Sequence, residues 1–477
     1  MANGRHPESA ALAGLDHKRG SLTVFLSIFL LWPALWNGYP LVFSDTGTYI
    51  SQMLEYHLGW DRPVFYSMFL LASHWTLTTW ISIFVQGVLV VSTLDLARRT
   101  IGGAHDGRGF LAILLVLAIA TGLPWCAAQI MPDVFTGLLP LLLAMLVLVP
   151  ERLGPAGRWW VTLFGAFVVA VHQSNLPLCL ALLGVLLPLR RRLGATGPLG
   201  PGERLRIGLV PALAVAALLA MNLAGHGRLS LSPYGNVFLL ARVIYDGPGL
   251  RTLQRDCPDA GWRLCATLDR PMPLLSDDFL WAADSPLARA GGAVAVSAEA
   301  DAIILRSLRA EPGAVIAAAA GNTVRQLASF RTGDGLEPWP ATVTPVVLRN
   351  FPRFERTAYL NSQQTQGRLV VPEALGVLHQ AAALLGIAAT LLGGILAARR
   401  GHPAAGLCLA VLVGVLVNAA VTGALSAPHD RYESRMAWLT LFAPMLGLAL
   451  LWRRSGTGLA PLFLQAASEA PTRVGPS

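Results

Sequence analysis

The 477-residue chain is expected to be an all-α polytopic membrane protein, and three observations carry that expectation. Only 13% of its residues are charged and 54% are hydrophobic. That is about half the charge density, roughly 25%, that covers a soluble domain. Mean hydropathy is +0.54. Apolar runs of spanning length, about 20 residues each, recur along the chain. This composition excludes a disulfide-built secreted mini-domain and a disordered chain. A net charge of +9 would direct a soluble protein to nucleic acid. Here membrane topology explains it, and no nucleic-acid partner is expected. Lys18 is the only lysine, a bias read as genome composition.

Taken in order, a polar tail over 1–21 precedes a transmembrane core over 22–223. Its seven spans are expected near 22–43, 77–97, 109–127, 133–149, 159–173, 175–189 and 206–223. The first lacks a small-residue cleavage site and reads as a signal anchor. Three C-terminal spans follow within 374–453, near 374–398, 404–425 and 436–452, and a second tail covers 454–477. About ten transmembrane helices result. Short connections carrying Lys18-Arg19, Arg98-Arg99, Arg108, Arg152, Arg158, Arg190 to Arg192, Arg204, Arg206, Arg399-Arg400 and Arg453-Arg454 fall at alternate ends. The excess of basic residues on cytoplasmic loops then places both termini in the cytoplasm, with the chain in the plasma (inner) membrane.

Two connections are longer. The first outer loop, 44–76, is expected to hold interfacial helices. Ile50, Met53, Leu54 and Leu58 share one helical face, and Ser51, Gln52, Glu55 and Tyr56 point elsewhere, as in a helix lying along the membrane surface. A second surface helix is expected from Pro63 to Trp75. The second connection, 224–373, is too long to stay unstructured. It is expected to fold as a mainly helical extracytoplasmic domain between spans seven and eight. Ile303, Ile304 and Leu308 recur there at helical spacing. Cys257 and Cys265, the two cysteines of this region, are expected to form a disulfide in an oxidising compartment; two packed free thiols are the alternative. Cys126, Cys179 and Cys408 read as apolar filler. No cysteine or histidine spacing fits a metal centre.

Ionisable groups are expensive near the bilayer interior, so they mark candidate sites. Four groups stand out, all at the outer face. Asp45 lies in Phe43-Ser44-Asp45-Thr46, where helix capping is the plain reading, and Asp61-Arg62-Pro63 follows as a local ion pair before a helix start. Asp133 follows Pro132 at the turn between spans three and four, where a helix-dipole role is the plain reading. His172 belongs to His172-Gln173-Ser174-Asn175, which reads first as a satisfied turn. The last group is His429-Asp430-Arg431-Tyr432-Glu433-Ser434-Arg435. It is either a solvated loop or a set of two arginines, a histidine and a tyrosine suited to phosphate.

In this order of elements the chain resembles the GT-C superfamily of integral membrane glycosyltransferases. The likeness rests on Asp45 after the first span, interfacial helices, Arg62-Pro63-Val64-Phe65-Tyr66, and a second outward acid, Asp133. The placement of the large outer region is similar to protein O-mannosyltransferases and the aminoarabinose transferases of lipid A. The resemblance spans residues 20–223 and 424–436. It implies sugar transfer from a polyprenyl-phosphate-linked donor to a glycan, lipid or protein acceptor at the outer face. It implies Asp45 as catalytic base and Asp133 as the acid that orients the acceptor or binds a cation, a divalent metal being the one candidate cofactor. Arg62, Arg431 and Arg435 would hold the lipid phosphate, and Tyr66 lies in the matching segment. His172, His429 and Tyr432 are candidate substrate-binding residues from their place at the same outer face; His172 and His429 have no counterpart in the family. The competing readings are a secondary transporter and a non-catalytic assembly protein of cell-envelope polysaccharide synthesis. No Gly-rich nucleotide loop with lysine is present.

Overall fold

A computed structural model describes residues 7–268 and 272–454. The expected C-terminal tail lies outside the described residues apart from Arg454, as do residues 1–6. Among the described residues the fold is helical, and its only strand-like feature is a parallel bridge between Leu41 and Gln129. Residues 7–21, expected as a tail, instead belong to the helix Pro7–Leu30. Pro7 sits at the favoured first position, and alanines and leucines follow.

Among the described residues four helices are long and apolar enough to cross a membrane: Thr79–Thr100, Pro201–His226, Glu373–Arg399 and Ala404–Leu425. The other expected spans are shorter or broken. The run 109–127 divides into Gly107–Ala120 and Leu123–Ala127 around Thr121-Gly122. The run 22–43 ends as helix at Leu30, with a short turn Trp32–Asn37 before extended backbone. Pro33 explains the second break, since its ring cannot continue the preceding helix.

The helix Asp133–Leu148 is buried at every one of its 16 residues. A helix apolar all round belongs at the centre of a bundle. It packs there against Thr79–Thr100, Pro155–Ala170, Asn175–Leu189 and Ala404–Leu425. At 1.5 Å per residue it is about 24 Å long. Asp133 therefore marks one end of the bundle, and the arginine-bearing turn Pro150–Arg152 lies at the other.

The region 224–373 divides in two. Helices Asn236–Tyr245, Pro248–Asp256, Ser276–Trp281 and Gly292–Ala310 close on their own core, built on Val237, Leu240, Phe279, Val296 and Ile303. Cys257 and Cys265 are disulfide-bonded at its edge. The remainder joins the main core through Val343, Val347, Phe351 and Tyr359. Helix Pro312–Ala328 lies along Ala404–Leu425. Glu355 is 1% exposed and seals the junction. Its Oε1 accepts from Tyr39 Oη at 3.0 Å and from the amide and hydroxyl of Thr79 at 2.8 and 2.7 Å.

Candidate functional site

The first loop forms the helices Ser44–Leu54 and Phe65–His74. The former is sunk into the protein rather than laid on a surface: Tyr49, Ile50, Ser51 and Gln52 are all buried. Gln52 sits inside because it joins the two helices, donating to Ser67 Oγ at 2.9 Å and accepting from the Gly59 amide at 2.9 Å. Gly47 is needed here for close approach. A Cβ at that position would run into the carbonyl oxygen of Thr342, which crosses the helix face.

Asp45 does not cap this helix. The cap position is Phe43, whose amide donates to Thr46 Oγ1 at 2.9 Å. With capping done by Thr46, the Asp45 carboxylate turns to arginines. Its Oδ2 lies 2.8 Å from Arg62 Nη2 and 3.7 Å from Arg431 Nη1. Arg62 also stands 3.8 Å from Asp61. Burial opposes the Arg62 charge, but Asp45 and Asp61 outweigh it and push its pKa up. Asp61 itself is 7% exposed, and burial pushes its pKa up from the ordinary value against the pull of Arg62. Arg431 is clamped by aromatic faces, with its guanidinium carbon 3.9 Å from the centroid of Phe43 and 4.7 Å from that of Tyr432. Such faces favour a cation. The three charged side chains of this centre keep 11–15% of their surface exposed.

A second polar set lies deeper. Asp133 Oδ1 accepts from Arg435 Nη1 at 2.8 Å, and Arg435 is wholly buried. Arg435 Nη2 donates to Ser174 Oγ at 3.0 Å and to Asn418 Oδ1 at 2.8 Å; His172 Nε2 is 3.3 Å from Nη1. His172 Nδ1 is 2.8 Å from Ser174 Oγ. Asn418 also donates to Glu433 Oε2 at 2.9 Å. Asp133 Oδ2, Glu433 Oε1 and Arg435 Nε are buried without a partner, so this set holds unsatisfied polar capacity inside the bundle.

The predicted site residues therefore fall into three groups. Asp45, Arg62, Arg431 and Tyr432 form one open centre, with Tyr432 Oη accepting from Arg431 Nη2 at 3.2 Å. Asp133, His172 and Arg435 form the buried set beneath it. The remaining two are engaged elsewhere. Tyr66 is 0% exposed, and its hydroxyl donates to Gln86 at 3.0 Å. His429 Nε2 lies 3.0 Å from Asp277, on the helix Ser276–Trp281, and Nδ1 lies 3.8 Å from Asp334. Arg435 is wholly buried and has both its Nη groups engaged by Asp133, Ser174 and Asn418, so it is turned to protein groups rather than to a ligand phosphate as the sequence led one to expect. Among the described residues no three His, Cys, Asp or Glu side chains are grouped to hold a metal ion. The pair Asp45 and Asp61 is bridged by Arg62 instead.

Sequence reasoning missed an aromatic platform beside the open centre. Trp60 stacks on Phe238 and on Trp281, each with centroids 5.4 Å apart and planes inclined by 28°. Arg62 lies 5.8 Å from the centroids of both Phe238 and Trp281. The rings come from the first loop and from two helices of the 224–373 region, so no local motif announces them. Asn418 was missed as well, and Glu433, named within the 429–435 run, was given no role of its own. No protein-family model, curated protein or solved structure matches the chain.

Proposed function

We propose that the protein is a membrane glycosyltransferase that moves a sugar from a polyprenyl-phosphate-linked donor to an acceptor at the outer face. The observation that carries this reading is the seating of the Asp45 carboxylate between Arg62 and Arg431, at an accessible end of an apolar bundle. In this reading the chain crosses the membrane about ten times. Both termini are cytoplasmic, and the Asp45 end faces outward in the plasma (inner) membrane.

The chemistry is a single displacement with inversion. The acceptor oxygen bonds to the anomeric carbon as the bond from that carbon to the phosphate oxygen breaks. The acceptor proton passes to Asp45, and the electron pair leaves on the lipid phosphate. Arg62 and Arg431 meet the charge growing on that phosphate, because guanidinium stays ionised and pairs bidentately with phosphate oxygens. When the donor phosphate draws these arginines, Asp45 is released from its ion pairs and becomes free to accept a proton. Trp60, Phe238 and Trp281 offer apolar ring faces to the C–H face of a saccharide. Asp133 would act through Arg435, holding the Arg431 helix in place rather than touching the acceptor.

A transporter is the second reading, favoured by the helix break at Thr121-Gly122 and the buried Asp133–Arg435 pair, since broken helices and buried charge line transport paths. Liposomes holding the purified protein and a polyprenyl-phosphate-linked labelled sugar distinguish the two. Transfer to acceptor is expected, with Asp45→Asn slowing it by roughly 10²–10⁴-fold, the contribution of a positioned general base. A correctly inserted Asp45→Asn protein with full transfer overturns Asp45 as base; uptake of free labelled solute without transfer supports the transporter.

A further inference from the structure

The opposite end of the bundle carries a second concavity that transfer chemistry does not use. Its volume is about 570 Å³, and it is lined by Arg99, His105, Arg152 and His402 together with the backbone at Gly154 and Gly157. These side chains come from three separate parts of the chain. Arg99 is in the last turn of the membrane-length helix Thr79–Thr100, and Arg152 ends the turn after the central helix. His402 precedes Ala404–Leu425, a second membrane-length helix. No carboxylate lines the cavity.

The donors in this pocket are only partly used. Arg152 Nη1 donates to the Thr100 carbonyl at 2.8 Å, which aims the guanidinium across the pocket. Its Nε is 4.0 Å from Glu151, whose Oε1 already accepts from the Thr196 hydroxyl. Arg99 Nε is 2.9 Å from Asp95, which it shares with Arg98 at 3.0 Å. The helix Pro155–Ala170 begins at Gly154 without a side-chain cap, so first-turn amides at Ala156 and Gly157 add donors on the same wall. Helix starts of this kind favour anions. Glycine at 154 leaves that wall open, with no heavy atom within 4 Å of a notional Cβ.

The depth of the pocket identifies the ligand. Two membrane-length helices end at its rim, so its floor lies at the level where the apolar spans stop. In a bilayer that level is occupied by lipid headgroups. Basic pockets between helices at the cytoplasmic boundary bind anionic headgroups, and bidentate arginine suits their phosphate. We infer that this pocket binds the phosphate of an anionic phospholipid headgroup, and that Arg99 and Arg152 supply its charged contacts. Free phosphate presents the same chemistry, and the test separates the two sources.

The test is native mass spectrometry of the full chain in neutral detergent, with phosphatidylglycerol or phosphatidylcholine added in turn. The expected result is retention of phosphatidylglycerol over phosphatidylcholine, falling at least ten-fold in Arg99→Gln/Arg152→Gln. An Arg191→Gln/Arg192→Gln protein, altered outside the cavity, is expected to retain the lipid as the native chain does. Millimolar inorganic phosphate that displaces the lipid identifies phosphate itself as the recognised group; lipid retained against phosphate identifies the intact headgroup. Equal retention by the Arg99/Arg152 variant and the native chain overturns the inference. So does equal loss in both double variants, which reports general surface charge. Thermal unfolding of each variant in the same detergent confirms that it is folded.

Discussion

Asp133 and Arg435 form the most demanding contact in the molecule, because both charges are almost or wholly withdrawn from solvent. Removing one member of such a pair leaves the other uncompensated, at a cost of about 3–5 kcal/mol. Asp133→Ala is therefore expected to lower the melting temperature markedly in detergent. Asp133→Leu/Arg435→Met should recover much of that loss, since an apolar replacement strands no charge; a double variant no better than Asp133→Ala would contradict this. Glu433 gives a pH signature. Burial pushes its carboxyl up to about 8, against hydrogen bonding from Asn418 and the charge of Arg435. Between an ordinary glutamate pKa and that value the folded protein holds a proton that the unfolded chain has released. Folding stability from this group is full at low pH and declines as pH rises through about 8. Glu433→Gln removes the decline, so its melting temperature should gain on the native chain between pH 5 and pH 8.5, values chosen to bracket that roughly 8 midpoint. A constant difference across that interval would contradict the burial assignment. The residue types at these positions were legible in the sequence, because acids and arginines stood where apolar runs ended. Their partners were not. Arg431 and Arg435 stand one helical turn apart, yet one faces Asp45 and the other is sunk against Asp133. Only packing decides which arginine a ligand can reach.

Among the elements, the helix Ser44–Leu54 does most to present the open centre. Its existence was legible from Ser44-Asp45-Thr46 and from the apolar spacing that follows. Its depth was not, because Ser51 and Gln52 look like solvent-facing residues until Ser67 and Gly59 partner Gln52 and the Ser51 hydroxyl turns back to the Thr48 carbonyl. The same holds for the short apolar helices, where periodicity marked helix but not the breaks at Leu31 and Thr121-Gly122. Gly47 tests how tightly this helix is held. The backbone of Thr342 leaves no room for a methyl group there, and overpacking of this kind costs about 1–3 kcal/mol. Gly47→Ala should lower stability by that amount, read as a lower melting temperature. It should also slow transfer more than it weakens lipid binding, because it displaces Asp45 while leaving Arg431 on its own helix. A variant with native stability and native transfer would show that the Thr342 segment does not clamp the helix.

For the whole molecule, the helical class follows from composition and run length, and among the described residues four helices reach membrane length where about ten spans were expected. The division of 224–373 does not. One part closes on Val237, Phe279 and Ile303, and the other is drawn into the main core by Glu355, Val347 and Phe351. Both parts return to the open centre: the Arg431 amide donates to Asp334 at 3.1 Å, and Arg62 lies against Phe238 and Trp281. The site is thus assembled from the first loop, the 224–373 region and the segment before the last helix, across some 390 residues of chain that hold no shared local motif. Its function turns on whether Arg62 and Arg431 receive a lipid phosphate. Native mass spectrometry with added polyprenyl phosphate answers this. The native chain should retain the lipid, and Arg62→Gln/Arg431→Gln should lose it at least ten-fold while Arg99→Gln/Arg152→Gln keeps it. Retention unchanged by loss of Arg62 and Arg431 would contradict the transferase reading.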